Sequence, residues 1–283
     1  MRAAVITHYY PHETAAPAIA RLRELAPKFG CELLFDKPDS ERRDIQAGDG
    51  GSLHADFARE DVDVALVIGG DGSILRSLRT FAGRGVPTFG FNYGAIGFLT
   101  TVEPEQLDEG IERALTGNFD ILKLPALRLK HGDIDAVAVN DVAFDRARGA
   151  RVAEIAYALA GEQVGRVRCD GVVAATPAGS TGYNLANNGP ILAWGVEGFV
   201  VSFIAPHTLT ARALVAAPGD ALRVTNSGRI DSVEIMIDGM MVGTLPVGAT
   251  AEVVFEDDVA TLAQIPGSTF YHRFREKFGK LAS

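Results

Sequence analysis

The chain has 283 residues, 47% of them apolar and 22% charged, with a formal net charge of −9. That is enough apolar material for one large core or two ordinary ones. The acidic balance excludes a nucleic-acid backbone as the main partner, since strand recognition needs clustered Lys and Arg.

Two isolated cysteines, Cys31 and Cys169, make neither a disulfide framework nor a zinc motif, and the six histidines show no metal-ligand spacing. Residues 1–8 lack the apolar stretch of a secretion signal, and no run reaches membrane-span length. A cytoplasmic protein with no membrane partner is expected.

In chain order, a strand over 3–7 leads to a helix over 15–29, with Ile19, Leu22, Leu25 and Phe29 at helical spacing before Gly30. A short strand follows over 31–35. The polar, glycine-containing stretch 39–52 reads as a mobile surface loop. Strand 62–68, helix 73–81, strand 86–91 and helix 105–115, ending at Gly117, complete an alternating pattern. Such alternation predicts a parallel sheet with helices on both faces.

Beyond Pro125 the pattern turns to strands, over 126–130, 134–144, 153–159, 164–168, 199–204, 221–225, 232–237, 251–255 and 260–265. Gly161-Glu162-Gln163 reads as a hairpin turn. Many short strands with Gly and Pro punctuation predict an all-β, sandwich-like domain. The tail 271–281 has amphipathic helical spacing through Phe274, Phe278 and Leu281. The expected division is therefore an α/β domain over 1–122, a β-rich domain over 123–266 and a helical tail over 267–283.

Four segments carry chemistry. Gly69-Gly70-Asp71-Gly72 follows directly on an apolar strand and precedes a helix start. Its glycines let a phosphate approach the backbone, and the helix N–H groups favour an anion, so Asp71 stands beside a phosphate cradle. Asn92-Tyr93-Gly94-Ala95-Ile96-Gly97-Phe98-Leu99 is a second turn after a strand, with Phe98 and Leu99 able to wall an aromatic ligand. Asn140-Asp141, closing strand 134–139, sets an amide and a carboxylate side by side, suited to a ribose or a base edge. Asp170-Gly171, followed by Thr176-Pro177-Ala178-Gly179-Ser180-Thr181-Gly182-Tyr183-Asn184, gathers hydroxyls, glycines and one aromatic into a loop fit to surround a nucleotide. Taken singly, each of these segments also reads as an ordinary turn or helix cap.

Together these segments, with Gly189-Pro190-Ile191 and the run from Pro206 to Arg212, resemble the NAD kinase family over residues 60–245. The resemblance implies a Rossmann-like N-terminal domain, a β-sandwich-like C-terminal domain and a C-terminal helix. It implies transfer of the ATP γ-phosphate to the adenosine 2′-hydroxyl of NAD, with Mg2+ bound through the ATP phosphates, in a homodimer or homotetramer. By position, Asp71 matches the family's base, with Gly72 beside it. Phe98 and Leu99 fall on the adenine side, and Asn140 and Asp141 on the adenosine. Arg151 and Arg168 fall at polar NAD contacts, and Asp170, Thr181, Gly182, Tyr183, Asn184, Leu185 and Ala186 on the NAD-binding loop. This chain has Asp141 where the family usually has Glu, and Met240 where an amide is common. Two other readings remain: a non-catalytic NAD or NADP sensor using the same loops, and a lipid or sugar kinase sharing the Gly-Gly-Asp-Gly element.

Overall fold

The computed structural model describes residues 1–7, 15–36, 51–54, 57, 60–94 and 97–279. These residues divide into two units, unit 1 being Met1–Lys123 with Ala260–Ser283 and unit 2 being Leu124–Val259.

Unit 1 rests on runs of apolar residues that suit strands covered on both faces. Its strands are β1 (Arg2–Thr7), β2 (Glu32–Asp36), β3 (Gly51–His54), β4 (Val64–Gly69) and β5 (Thr88–Asn92). Their order is β5-β4-β1-β2-β3, and every pair is parallel. All six residues of β4 are buried. The end of β17 (Thr250–Gln264) lies parallel to β5, with Leu262 opposite Thr88. Helices α1 (Ala15–Leu25), α2 (Asp71–Thr80) and α3 (Leu107–Thr116) connect the strands.

The helix expected over 15–29 tightens into a 3₁₀ turn over Ala26–Phe29, where Pro27 has no N–H for an α-helical bond. Gly30 and Gly117 close their helices at φ 63° and 72°, a conformation open to glycine. Strand order runs outward from β1 on both sides, so the topological switch lies between β1 and β4. The turn after β4 therefore opens where parallel sheets bind ligands.

Unit 2 is antiparallel. One sheet has the order β13-β12-β11-β8-β15-β16, made of β8 (Asp141–Arg146), β11 (Gly171–Ala175), β12 (Phe199–Ile204), β13 (Leu214–Ala216), β15 (Val233–Ile237) and β16 (Met240–Leu245). Facing it are β10 (Glu162–Cys169), β9 (Ala153–Leu159), β14 (Leu222–Asn226) and the first part of β17, with the hairpin of β6 (Asp120–His131) and β7 (Ile134–Ala138). Phe144, Val172, Phe199 and Ile235 from one sheet meet Leu129, Ile155, Leu222 and Val253 from the other in one buried core. A sandwich follows from that shared core. The short helix α4 (Tyr183–Ala186) follows a 3₁₀ turn over Gly179–Thr181.

Several expectations are corrected. The strand expected over 134–144 is two strands, β7 and β8, in different sheets, because the chain turns at Asn140. The hairpin turn is Ala160-Gly161, at φ 50° and 84°, one step before the expected 161–163. Strands β3, β11, β13 and β16 lie outside the expected strands, and β3 takes up residues 51 and 52 of the expected loop. The boundary expected at 122/123 falls at Lys123/Leu124, but the tail is no separate domain and groups with unit 1. The reason is its packing: α5 (Phe270–Phe278) sets Phe270 and Phe278 against the Phe98 ring, with centroids 5.8 and 6.2 Å apart. Residues 39–50 of the expected mobile loop, and Leu281, lie outside the described residues.

Candidate active site

In unit 1, the turn after β4 is walled by a second glycine turn. A Cβ on Gly94 would lie 2.7 Å from the Cα of Gly70, so the two turns can meet only as glycines. The Tyr93 N–H donates to the Gly69 carbonyl at 3.0 Å and fixes their register. Gly70 caps α2 without a side chain, which puts Asp71 in the first turn of the helix. A Cβ on Gly72 would meet nothing within 4 Å, so this glycine stands beside open space at the helix start. At the end of β1, Arg76 of α2 donates to the Thr7 carbonyl at 2.8 Å.

The Asp71 carboxylate is held from above by two backbone donors. Phe98 N–H reaches Oδ2 at 2.9 Å and Leu99 N–H reaches Oδ1 at 3.0 Å. Burial pushes this carboxyl above its ordinary range. The Leu99 and Phe98 N–H groups pull it back, followed by the charges of Arg273 and Lys277. Phe98 and Leu99, expected to wall an adenine, are themselves buried, and they serve Asp71 through their backbone.

In unit 2, Asn140-Asp141 forms the turn into β8, and the turn is built by a side chain nearly a hundred residues further along. Asp238 accepts three backbone bonds: from Asn140 at 2.7 Å, Asp141 at 3.0 Å and Val139 at 3.1 Å. Asp238 and Gly239, at φ 44° and 78°, are the two-residue hairpin between β15 and β16. An Asp-Gly pair between apolar runs signals such a hairpin. Its side chain's reach to Asn140 has no sequence signal.

The 176–184 loop packs on the same turn. Thr176 Oγ1 donates to the Val139 carbonyl at 2.6 Å and accepts from Gly179 N–H at 3.0 Å. A Cβ on Gly179 would lie 2.0 Å from the Asn140 carbonyl oxygen, so only glycine permits this approach. The place of a Cβ on Gly182 would be 3.7 Å from Asn140 Nδ2 and 3.8 Å from Asp141 Oδ2. Gly182 and both polar side chains thus share one corner. Asn140 Oδ1 is buried there with no hydrogen-bond partner. Asp141 is 5% exposed, and burial, then the charges of Asp238 and Asp145, push its carboxyl up to about 7.

The other expected NAD residues divide. Tyr183 is 38% exposed and lines a cavity of about 350 Å³ with Asp145, Asp170, Arg146 and Glu234. Asp170 pairs with Arg146 at 2.9 Å. Asp145 bonds Tyr183, and burial and Glu234 push its carboxyl up to about 6. Arg168 is exposed and lines a separate cavity of about 430 Å³ with Arg146 and Arg229. Arg151 is exposed in the turn between β8 and β9. Gly182 and Ala186 are exposed, Thr181 and Leu185 half-buried. Asn184 is buried, its Nδ2 donating to the Ser180 and Pro190 carbonyls at 2.9 and 3.0 Å and building the loop, while its Oδ1 is buried with no hydrogen-bond partner. Among the described residues, no group of three or more His, Cys, Asp or Glu could hold a metal ion.

A glycine-walled turn holding one half-buried carboxylate, in a chain with one parallel and one antiparallel unit, is the site of a phosphotransferase. The ATP-NAD kinase N-terminal domain family matches residues 32–119, and the ATP-NAD kinase C-terminal domain family matches 139–257. The NAD kinase of Gemmatimonas aurantiaca is 31% identical, covering 99% of this chain and 96% of its own. That of Rhodopirellula baltica is 34% identical over 79% of this chain and 74% of its own. The crystal structure of yeast NADH kinase complexed with NADH superposes with a TM-score of 0.85 at 21% identity, over all of this chain and 89% of that one. The NAD kinase from Archaeoglobus fulgidus in complex with ATP gives 0.75 at 24% identity, over 100% and 99%. The two structures share the fold, and the chain belongs to the NAD kinase family.

Proposed function

We propose that the chain is an ATP-dependent NAD kinase in which Asp71 is the general base. Asp71 accepts the proton of the adenosine 2′-hydroxyl as that oxygen attacks the γ-phosphorus, and ADP leaves with the former bridging oxygen. A ribose hydroxyl is a weak nucleophile, and base assistance is worth about 10²–10⁴-fold. The remaining work is positioning and meeting phosphate charge. Gly72, beside open space at the start of α2, leaves room for phosphate oxygens to approach the backbone. Magnesium enters as part of the substrate, carried on the ATP phosphates.

The observation that carries this reading is the Asp71 carboxylate: half-buried, fixed by two N–H groups, and set at the switch point of a parallel sheet. The unpartnered Asn140 Oδ1 beside Gly182 supports a dinucleotide contact in unit 2, where an adenosine hydroxyl or amino group would complete it. Exposed Leu209, Ile230, Met240 and Met241 support association of identical chains. Residence in the cytoplasm belongs to the same reading. Among the described residues, no helix is long and apolar enough to cross a membrane.

The test is an endpoint assay for NADP from purified protein with ATP, magnesium and NAD, run beside Asp71→Asn. NADP from the wild type and its loss in the variant are expected. A folded wild type that binds NAD and yields no NADP overturns the proposal, in favour of a sensor or of another donor or acceptor.

A further inference from the structure

Asp71 is gripped by a loop, and that loop is gripped by the C-terminal helix. Arg273 of α5 is only 7% exposed. Its Nη1 donates to the Phe98 carbonyl at 2.9 Å and to the Thr100 carbonyl, and its Nε donates to Ser268 Oγ at 3.2 Å. The Phe98 carbonyl and the Leu99 N–H are two ends of one peptide group. A single chain of hydrogen bonds therefore runs from guanidinium to peptide to the Asp71 carboxylate.

We propose that Arg273 is a positioning residue for phosphoryl transfer, locking residues 98–100 so that the Phe98 and Leu99 N–H groups aim the Asp71 carboxylate. The inference rests on the reading of Asp71 as the base. Burying a guanidinium costs free energy unless its donors are used, and here Nη1 is spent on the Phe98 and Thr100 carbonyls and Nε on the Ser268 hydroxyl. Hydrogen bonds in series polarise one another, so the charge of Arg273 strengthens the Leu99 N–H as a donor. Among the described residues, the charges that act on Asp71 are those of Arg273 and Lys277, both on α5, and both favour its ionised form against the effect of burial. Arg273 in turn senses Asp71, Glu276 and Glu103.

A residue that merely staples α5 to unit 1 would change melting temperature and leave the chemistry of Asp71 alone. The experiment measures kcat, both KM values and melting temperature from pH 5 to 9 for wild type, Arg273→Met and Arg273→Lys. In parallel, protonation of Asp71 is followed by infrared difference spectroscopy against Asp71→Asn. Arg273→Met is expected to lose kcat about 10- to 100-fold, with both KM values within about twofold. Its acid limb and its Asp71 titration should both move up, because a charge that favours the ionised form is gone. Arg273→Lys keeps the charge and loses the fork, so its titration stays near wild type while kcat falls several-fold.

A folded Arg273→Met with an unmoved Asp71 titration overturns the inference. Should that variant not fold, Arg273→Lys with wild-type kcat overturns it equally. If the wild type makes no NADP, the proposed function fails, and the infrared titration still decides what Arg273 does to Asp71.

Discussion

Asp238, on a hairpin nearly a hundred residues along the chain, accepts the Asn140 N–H at 2.7 Å and thereby sets the turn that starts β8. The same carboxylate takes the N–H groups of Val139 and Asp141, and the Asp238 N–H donates back to the Asp141 carbonyl at 2.9 Å. The Asn140-Asp141 corner is thus preorganised by a side chain outside it.

Asp238→Ala should cost about 2–4 kcal/mol of stability, because three N–H groups lose a charged acceptor. The variant also loses a side chain suited to φ 44°. Asp238→Asn retains an acceptor and tolerates the left-handed conformation, so it should lose less. Urea unfolding ranks the two, and the KM for NAD should rise in the same order. An Asp238→Ala protein with wild-type stability and KM would refute the role of this carboxylate.

For Asp71→Asn the expectation is a loss of about 10²–10⁴-fold in kcat with little change in either KM. Because burial raises the Asp71 carboxyl above its ordinary range, the wild-type rate should climb with pH as that group ionises. The limb should be centred above the usual carboxylate values and be absent in the variant. Steady-state rates across pH 4–8 check both statements.

The division into a parallel unit and an antiparallel one was legible because strand runs alternating with helical spacing in 1–122 give way to strands alone. The turn that carries Asp71 was legible for a local reason: glycine pairs at a strand end announce a tight turn and a close approach. What stayed hidden depends on partners far along the chain. Phe98 and Leu99 looked like ligand walls because apolar residues in a loop suggest a cavity, yet the Phe98 ring packs between Phe270 and Phe278. Asn184 is buried, and its Nδ2 ties the loop to the Ser180 and Pro190 carbonyls, a role that spacing alone does not show. Strand β11 has only five residues, Gly171–Ala175, set between two glycine-containing motifs, and so short an apolar run carries little strand signal.

Two glycines give opposite expectations under one substitution. Gly179→Ala places a Cβ 2.0 Å from the Asn140 carbonyl, which backbone movement alone can relieve. A loss of about 2–4 kcal/mol and weakened NAD binding should result. Gly72→Ala meets nothing within 4 Å and lies in a helix, where alanine is favoured by about 0.5–1 kcal/mol. That protein should be as stable as wild type or more so, with any defect confined to the KM for ATP. Thermal melts and the two KM values separate these outcomes, and a destabilised Gly72→Ala would contradict the open space described beside it.

Asp141 yields a stability expectation with a definite sign. Its carboxyl ionises near pH 4 in an unfolded chain and near pH 7 in the folded one. Between those values the unfolded state releases a proton that the folded state keeps, so stability falls as pH rises from about 4 to 7. The favourable contribution of the protonated form is complete below that window and lost above it. Asp141→Asn removes the titration and leaves a neutral side chain of the same shape. The variant should match wild type near pH 4 and exceed it by about 1–3 kcal/mol at pH 8. Urea unfolding at the two pH values measures the difference, and an advantage that is equal at both, or larger at pH 4, would show that Asp141 is ionised in the folded protein.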